Sequence, residues 1–308
     1  MTKPDAITQN LLAAVADLHD VPSGAYNLRL NGESAGRRST ANIQIETKQD
    51  KPGIDIHIKP GTKNESVHIP VVLSQSGLTE TVYNDFYIGE NADVIIVAGC
   101  GIHNAGAEKA EHDGLHRFFV GAGARVRYIE KHYGEGDGAD QRMMNPHTVA
   151  ELAEGAYLEM ETVQIKGVDS TIRRTDAILQ AEATLVVKEK IMTHGSQLAE
   201  THFNVEMNGP SASCSLSSRS VAAGQSKQVF CSNIVGNAPC NGHSECDGII
   251  MDEAQISAIP EISANHPDAS LIHEAAIGKI AGEQILKLQT LGLTEAEAEA
   301  QIISGFLK

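Results

Sequence analysis

Cys246 stands in the stretch Asn241–Glu274, flanked by His243, Glu245 and Asp247, and the same stretch closes on His273 and Glu274. Thiolate, imidazole and carboxylate are the side chains that bind iron, zinc or copper, and soft thiolate favours iron–sulfur chemistry. No Cys-x-x-Cys occurs, so the spacing is not that of a zinc finger. Acidic neighbours raise a thiol pKa and do not activate it, whereas bound iron supplies the positive charge that holds a thiolate. The alternative is a buried free cysteine beside ordinary surface charges. His273 and Glu274 are adjacent, and on one strand they point to opposite faces. Both reach one metal only where the strand ends or bends, and Ala275-Ala276-Ile277-Gly278 is compatible with such an end.

Cys100 follows an aliphatic run in Val97–His103 and reads either as a reactive thiol or as a small buried residue. Cys214, Cys231 and Cys240 read as structural. His57 and His68 fall on the polar side of alternating strands and are expected at the surface. Met143, Met144 and His147 follow the Gly134–Asp140 stretch and are expected in a surface loop. No GxxxxGK[ST] is present, so any ATPase must be a separate chain.

The elements that position these residues follow from pattern. With 308 residues and 41% hydrophobic content the chain can bury a sizeable core. Its net charge of −16 argues against binding phosphate backbones. No Trp, few aromatics and 28 Gly favour short strands and turns. No apolar run is long enough to span a membrane, the N-terminus lacks a signal-peptide segment, and five unevenly spaced cysteines do not form a disulfide framework. A reducing cytoplasm is the expected location.

Residues 4–19 carry Ile7, Leu11, Leu12, Val15 and Leu18 at helical spacing, with Asp17 and Asp20 polar, and Pro22-Ser23-Gly24 breaks the pattern. From Ala25 to about Val82 the alternation has period two, which predicts half-buried strands. From Asn91 a repeat appears: Asn91-Ala92, Gly123-Ala124, Gly155-Ala156, Glu182-Ala183 and, more weakly, Ser211-Ala212 each open a strand. Such a period marks solenoids, and a small residue at one fixed place suits a tight corner between stacked coils. The pattern predicts a parallel β-solenoid, with a β-sandwich as the structural alternative. A solenoid has open ends that need caps or partners. The N-terminal helix is expected over one end. At the other, Glu283–Leu291 reads as a helix stopped by Gly292, and Thr294-Glu295-Ala296-Glu297 is a capping box opening a second helix with Ile302, Ile303 and Phe306 on its apolar face. The expected divisions are residues 1–24 (N-terminal cap), 25–275 (solenoid core) and 276–308 (C-terminal helices).

The last third resembles the C-terminal core of the SufB/SufD proteins, scaffold components of the SUF iron–sulfur assembly machinery. Cys246-Asp247-Gly248-Ile249-Ile250, Pro260-Glu261-Ile262, His273-Glu274-Ala275 with Lys279-Ile280, and the closing Gly292–Phe306 carry the resemblance. It implies a right-handed parallel β-helix with a C-terminal helical segment that docks SufC, an ABC-type ATPase. It also implies a transient, nascent Fe–S cluster, with Cys246 and Glu274 in positions of the SufB scaffold and His273 where SufD contributes a histidine. One chain holding both kinds of residue points to a homodimer. Gly99-Cys100 resembles part of the SufB Glu-Gly-Cys-[Thr/Ser]-Ala-Pro segment, whose cysteine is implicated in taking up sulfur, which implies sulfur acceptance for Cys100, although the Ala-Pro is missing; the alternative is a small buried residue at a solenoid corner. His112 and His116 resemble the family's Asp-Ser-Leu-His. A cysteine desulfurase or other sulfur donor and apo Fe–S acceptor proteins are the further partners implied, with no nucleic acid and no membrane. The competing readings are a SufD-like structural partner without a cluster and a stand-alone β-helix enzyme. Against the enzyme, the excess of acidic residues would repel a polyuronate.

Overall fold

A computed structural model describes residues 6–16, 22–138 and 141–308. The chain winds into a β-solenoid of about eight turns whose walls are two ten-stranded sheets. Each strand pairs in parallel with the equivalent strand of the next coil, so that Asp93, Arg125, Tyr157, Thr184, Ser213 and Asn241 stand side by side.

The corners explain the repeat. Asn91, Gly123, Gly155, Glu182 and Ser211 all take a left-handed backbone with φ between 56° and 65°. The alanine that follows each of them is fully buried. The left-handed residue turns the chain, and only a small side chain fits inside the turn. Cys240 occupies the same place in the next coil, because Asn241 pairs with Ser213. Its burial is that of a corner residue, in keeping with a structural cysteine. Outside another corner an asparagine ladder runs from Asn265 through Asn237 to Asn208, with side-chain bonds of 2.7 Å.

The first coil is built differently. Ala25–Leu30 pairs antiparallel with Glu33–Arg38, and Ile43–Thr47 pairs antiparallel with Gly53–Ile58. These hairpins finish the N-terminal end. Helix α1 (Ala6–Ala16) does not cover that end as its sequence led us to expect. It lies on the outer face of one sheet, over the strands Lys63–Leu73, Asp93–His103 and Arg125–Glu135. The reason is a trough made by Gly99 and Gly101. A Cβ on Gly99 would sit 2.4 Å from the Val15 carbonyl oxygen, and one on Gly101 would meet Leu11. Leu11 and Val15 are fully buried there. The remainder of the expected helix, with Leu18, Asp17 and Asp20, lies outside the described residues.

Two further expectations change. Arg142–Met144 and His147–Leu152 are strands and not a loop, and Met144 is fully buried between His112 and Thr171. His57 is exposed and stacks on Tyr87, but His68 is half-buried beside Tyr26, and burial lowers its pKa.

The last strands, Gln255–Ala264 and Ser270–Gly278, each pair with one neighbour and leave an open edge. The helices α2 (Gly282–Gln289) and α3 (Glu295–Phe306) follow, and α3 opens with the expected capping box between Thr294 and Glu297. No helix among the described residues is long and apolar enough to cross a membrane.

Candidate functional site

Inward-facing residues of a solenoid stack into columns, because parallel pairing keeps one register from coil to coil. Most columns here are aliphatic or aromatic. In the sheet that contains Asp93–His103, two neighbouring columns are not. One reads Ala98, Glu130, Thr162, Glu189, Ser218, Cys246, Ala275. The other begins Cys100, His132, Gln164. From the opposite sheet Glu80, His112 and Arg173 face inward, all buried.

Cys100 is 6% exposed and lies against His112 and His132. Burial would raise its thiol pKa, but the two imidazoles outweigh burial and bring it down to about 7. His112 moves the opposite way. Burial disfavours its charge, yet Cys100 and Glu80 raise it to about 10. The two shifts act together to favour a thiolate–imidazolium pair. Glu80 Oε2 lies 3.4 Å from His112 Nδ1, an ionic contact outside hydrogen-bonding geometry, and Arg29 Nε donates to Glu80 Oε1 at 2.7 Å.

On its other side Cys100 leads into a charged interior. His132 Nε2 is 3.7 Å from Glu130 Oε1, and Arg173 pairs with Glu130 and reaches His132 Nδ1 at 3.3 Å. Burial opposes the Glu130 charge, but Arg173 and His132 hold its carboxyl well below the usual range. Tyr128 donates to Glu130 at 2.8 Å, so its oxygen accepts from His116 Nδ1 at 2.7 Å, while Asn84 donates to His116 Nε2 at 3.2 Å. That pattern requires neutral His116, and burial lowers its pKa to about 4. Arg173 Nε then lies 3.6 Å from Glu189, which accepts from Thr201 at 3.0 Å and Ser218 at 2.9 Å. Ser218 pairs in register with Cys246. A chain of buried polar side chains therefore runs from Cys100 to Ser218, the register partner of Cys246. Gln164, beside His132, has a buried amide with no hydrogen-bond partner, which marks this interior as suited to a polar guest.

Cys246 is fully buried and of opposite character. Burial, then Glu189 and Asp247, push its thiol up to about 12. It is a protonated thiol that only a metal would ionise near neutrality. His273 faces inward, half-buried, in register with Ser244, and its Nδ1 has no partner. Glu274 faces outward and lies 3.4 Å from His243. The adjacency of His273 and Glu274 thus splits them across the sheet. One chain brings Cys246 and His273 to the same side and leaves Glu274 on the other, and the described residues of one chain contain no group of three such ligands placed to hold a metal.

Cysteine reactivity checks this contrast. All five cysteines are free. Cys100 has a lowered pKa, whereas Cys214, Cys231, Cys240 and Cys246 are all raised by burial. Site-resolved alkylation with iodoacetamide should show Cys100 labelling rise through a midpoint near pH 7. In His112→Gln the midpoint should move to the ordinary thiol value of 9.0 or above, slowing labelling at pH 7 by roughly fifty-fold. An unchanged profile would remove His112 from the pair.

Sequence reasoning singled out Cys100, His112, Cys246, His273 and Glu274. It missed Glu80, Glu130, His132, Arg173 and Glu189. The signal was present: Glu130, Glu189 and Cys246 stand at the same step past their corner residues Ala124, Ala183 and Cys240.

Comparison with known proteins bears on this interior. Residues 75–306 match the SufBD core domain of the SUF system for FeS cluster assembly. Similar proteins include an iron–sulfur cluster assembly SufBD family protein of Methanothermobacter thermautotrophicus, 28% identical over 85% of this chain and 64% of the relative. One of the same description from Archaeoglobus fulgidus is 29% identical over 84% of this chain and 69% of its own length. Another from Methanocaldococcus jannaschii is 25% identical over 86% and 84%. The chain spans about two thirds of the length of the first two.

Proposed function

Since the chain belongs to the SufBD core family of the Fe–S cluster assembly system, we propose that it is a non-enzymatic scaffold on which a transient Fe–S cluster is built. The observation that carries this reading is the buried polar path between an activated thiol, Cys100, and a ligand thiol, Cys246. A persulfide of a cysteine desulfurase, or another sulfane donor, is attacked at its outer sulfur by the Cys100 thiolate. The donor S–S bond breaks, the donor leaves as thiolate, and Cys100 holds the sulfane sulfur beside the His112 imidazolium. Two electrons from an external donor cleave the Cys100 persulfide, restoring the Cys100 thiol and releasing sulfide, which passes through the polar interior toward Cys246. The finished cluster is cargo and passes to apo acceptor proteins. The free thiols fit a reducing cytoplasm.

Assembly takes place at a homodimer interface formed by the last coil. Ile259 and Ile272 are each 52% exposed there, and an unpaired apolar sheet edge is a template for a second chain. In a twofold interface each residue meets its own copy or its partner. Glu274 of one protomer can then approach His273 and Cys246 of the other, which the strand of one protomer forbids.

A SufC-like ABC-type ATPase docks on α2 and α3. No residue of α2 is buried, and Leu286 and Leu291 are largely exposed. The end of α3 is tied to the solenoid by Lys190 donating to the Lys308 carbonyl oxygen at 3.0 Å and Arg219 to that of Phe306 at 3.4 Å. Closure of two ATPase subunits pulls these helices and opens the dimer interface, driven by tighter ATPase binding to the open state. Phe306→Asp should abolish copurification of the ATPase and leave the thermal unfolding of the solenoid unchanged. Undiminished copurification would place the docking site elsewhere.

A further inference from the structure

The two hairpins of the first coil enclose a cleft of about 480 Å³ lined by Arg29, Gly32, Arg37, Thr47, Lys48 and Lys51, among others. Four of its side chains are cationic and none is acidic, in a chain whose net charge is −16. Two of the cations are neutralised: Arg29 by Glu80, and Lys48 by Asp55 and Asp85. The other two meet no carboxylate among the described residues. Arg37 donates from Nε to Asn27 Oδ1 at 2.9 Å and from Nη1 to Thr47 Oγ1 at 2.6 Å, both neutral acceptors. Lys51 Nζ lies 4.7 Å from the centroid of the Tyr83 ring. The bond from Arg37 to Thr47 ties one hairpin to the other, so the guanidinium is held in place at the cleft wall. Burial and the nearby Arg29 both disfavour the Arg37 charge, and a shared anion relieves such like-charge crowding.

We propose that this cleft binds the phosphoryl oxyanion of a small ligand. A fixed guanidinium fork matches the oxygens of phosphate, an ammonium adds a second point of charge, and the volume lies in the range of small-molecule sites. Inorganic phosphate and a nucleotide share this chemistry. The site also adjoins the polar interior, because Arg29 contacts both the cleft and Glu80, which lies 3.4 Å from His112. Binding does not depend on the role of Cys100 in sulfur transfer.

Isothermal titration of the full chain at low ionic strength, with inorganic phosphate, ATP and adenosine as separate probes, tests the assignment. Saturable binding of phosphate or ATP and none of adenosine is expected. Equal affinity for both marks free phosphate as the ligand, and tighter binding of ATP marks a nucleotide. The double variant Arg37→Gln/Lys51→Gln should bind at least ten-fold more weakly with an unchanged circular-dichroism spectrum. Lys59→Gln, outside the cleft, should bind as the wild type does. Absence of saturable binding by both phosphate and ATP, or wild-type affinity in the double variant, overturns the proposal.

Discussion

Cys246→Ala should abolish the cluster that anaerobic reconstitution with iron and sulfide forms on the wild-type protein. The expectation rests on two properties of the residue. It is a fully buried thiol in the column that runs from Ala98 to Ala275, on the same inner side as His273 and one strand from the open end. Its pKa is pushed up to about 12, so only a bound metal gives it a reason to ionise. Absorption and Mössbauer spectra should therefore lose the cluster signal completely in Cys246→Ala. His273→Ala and Glu274→Ala should reduce cluster occupancy, because each removes one ligand and leaves the thiolate. Cys214→Ala and Cys231→Ala should retain a wild-type signal, since neither is on the polar columns. A normal cluster in Cys246→Ala would show that Cys246 is not a ligand, and no cluster on the wild-type protein would make a SufD-like partner without a cluster the better reading.

Arg173→Ala should cost about 3–5 kcal/mol of folding stability, the range for removing one member of a buried ion pair. Arg173 is 3% exposed and stands between Glu130 and Glu189. Without it, Glu130 is left charged or must take up a proton in the interior. The double variant Glu130→Leu/Arg173→Met should recover part of the loss, because apolar residues of similar volume replace a buried pair at small cost. The pH dependence has a definite sign. Glu130 has a folded-state pKa well below its ordinary 4.5. Its contribution is fully present above pH 4.5 and declines as pH falls toward the lowered value. Denaturant unfolding of wild type and Arg173→Ala at pH 7 and pH 4 measures both effects. Equal stability of the two proteins at pH 7 would show that Arg173 does not hold the interior together.

The solenoid was legible because its corners repeat a physical requirement: a left-handed residue followed by alanine at Ala92, Ala124, Ala156, Ala183 and Ala212. The sixth corner escaped notice because Cys240 stands in place of alanine. The capping box at Thr294 was equally plain, since it depends on residues three apart. The polar path was not read, although its members occupy equivalent places. Glu130 and Glu189 sit in strands that also carry Arg127, Lys131, Lys188 and Lys190, and an alternating charged strand reads as solvent-facing until the coils are aligned. The seat of α1 depends on Gly99 and Gly101, whose missing side chains leave no pattern pointing to a helix from elsewhere in the chain. The separation of His273 from Glu274 followed from strand geometry alone, and the first is half-buried on the inner side while the second is exposed on the outer.

One protomer cannot gather Cys246, His273 and Glu274 on one side of its sheet, and in the proposed assembly a second copy completes the site. Native mass spectrometry of the anaerobically reconstituted protein tests that claim most directly. The cluster mass should appear on the dimer and be absent from the monomer, and the dimer of Cys246→Ala should carry none. Clusters carried by monomers, or a reconstituted dimer without any, would contradict assembly at the homodimer interface.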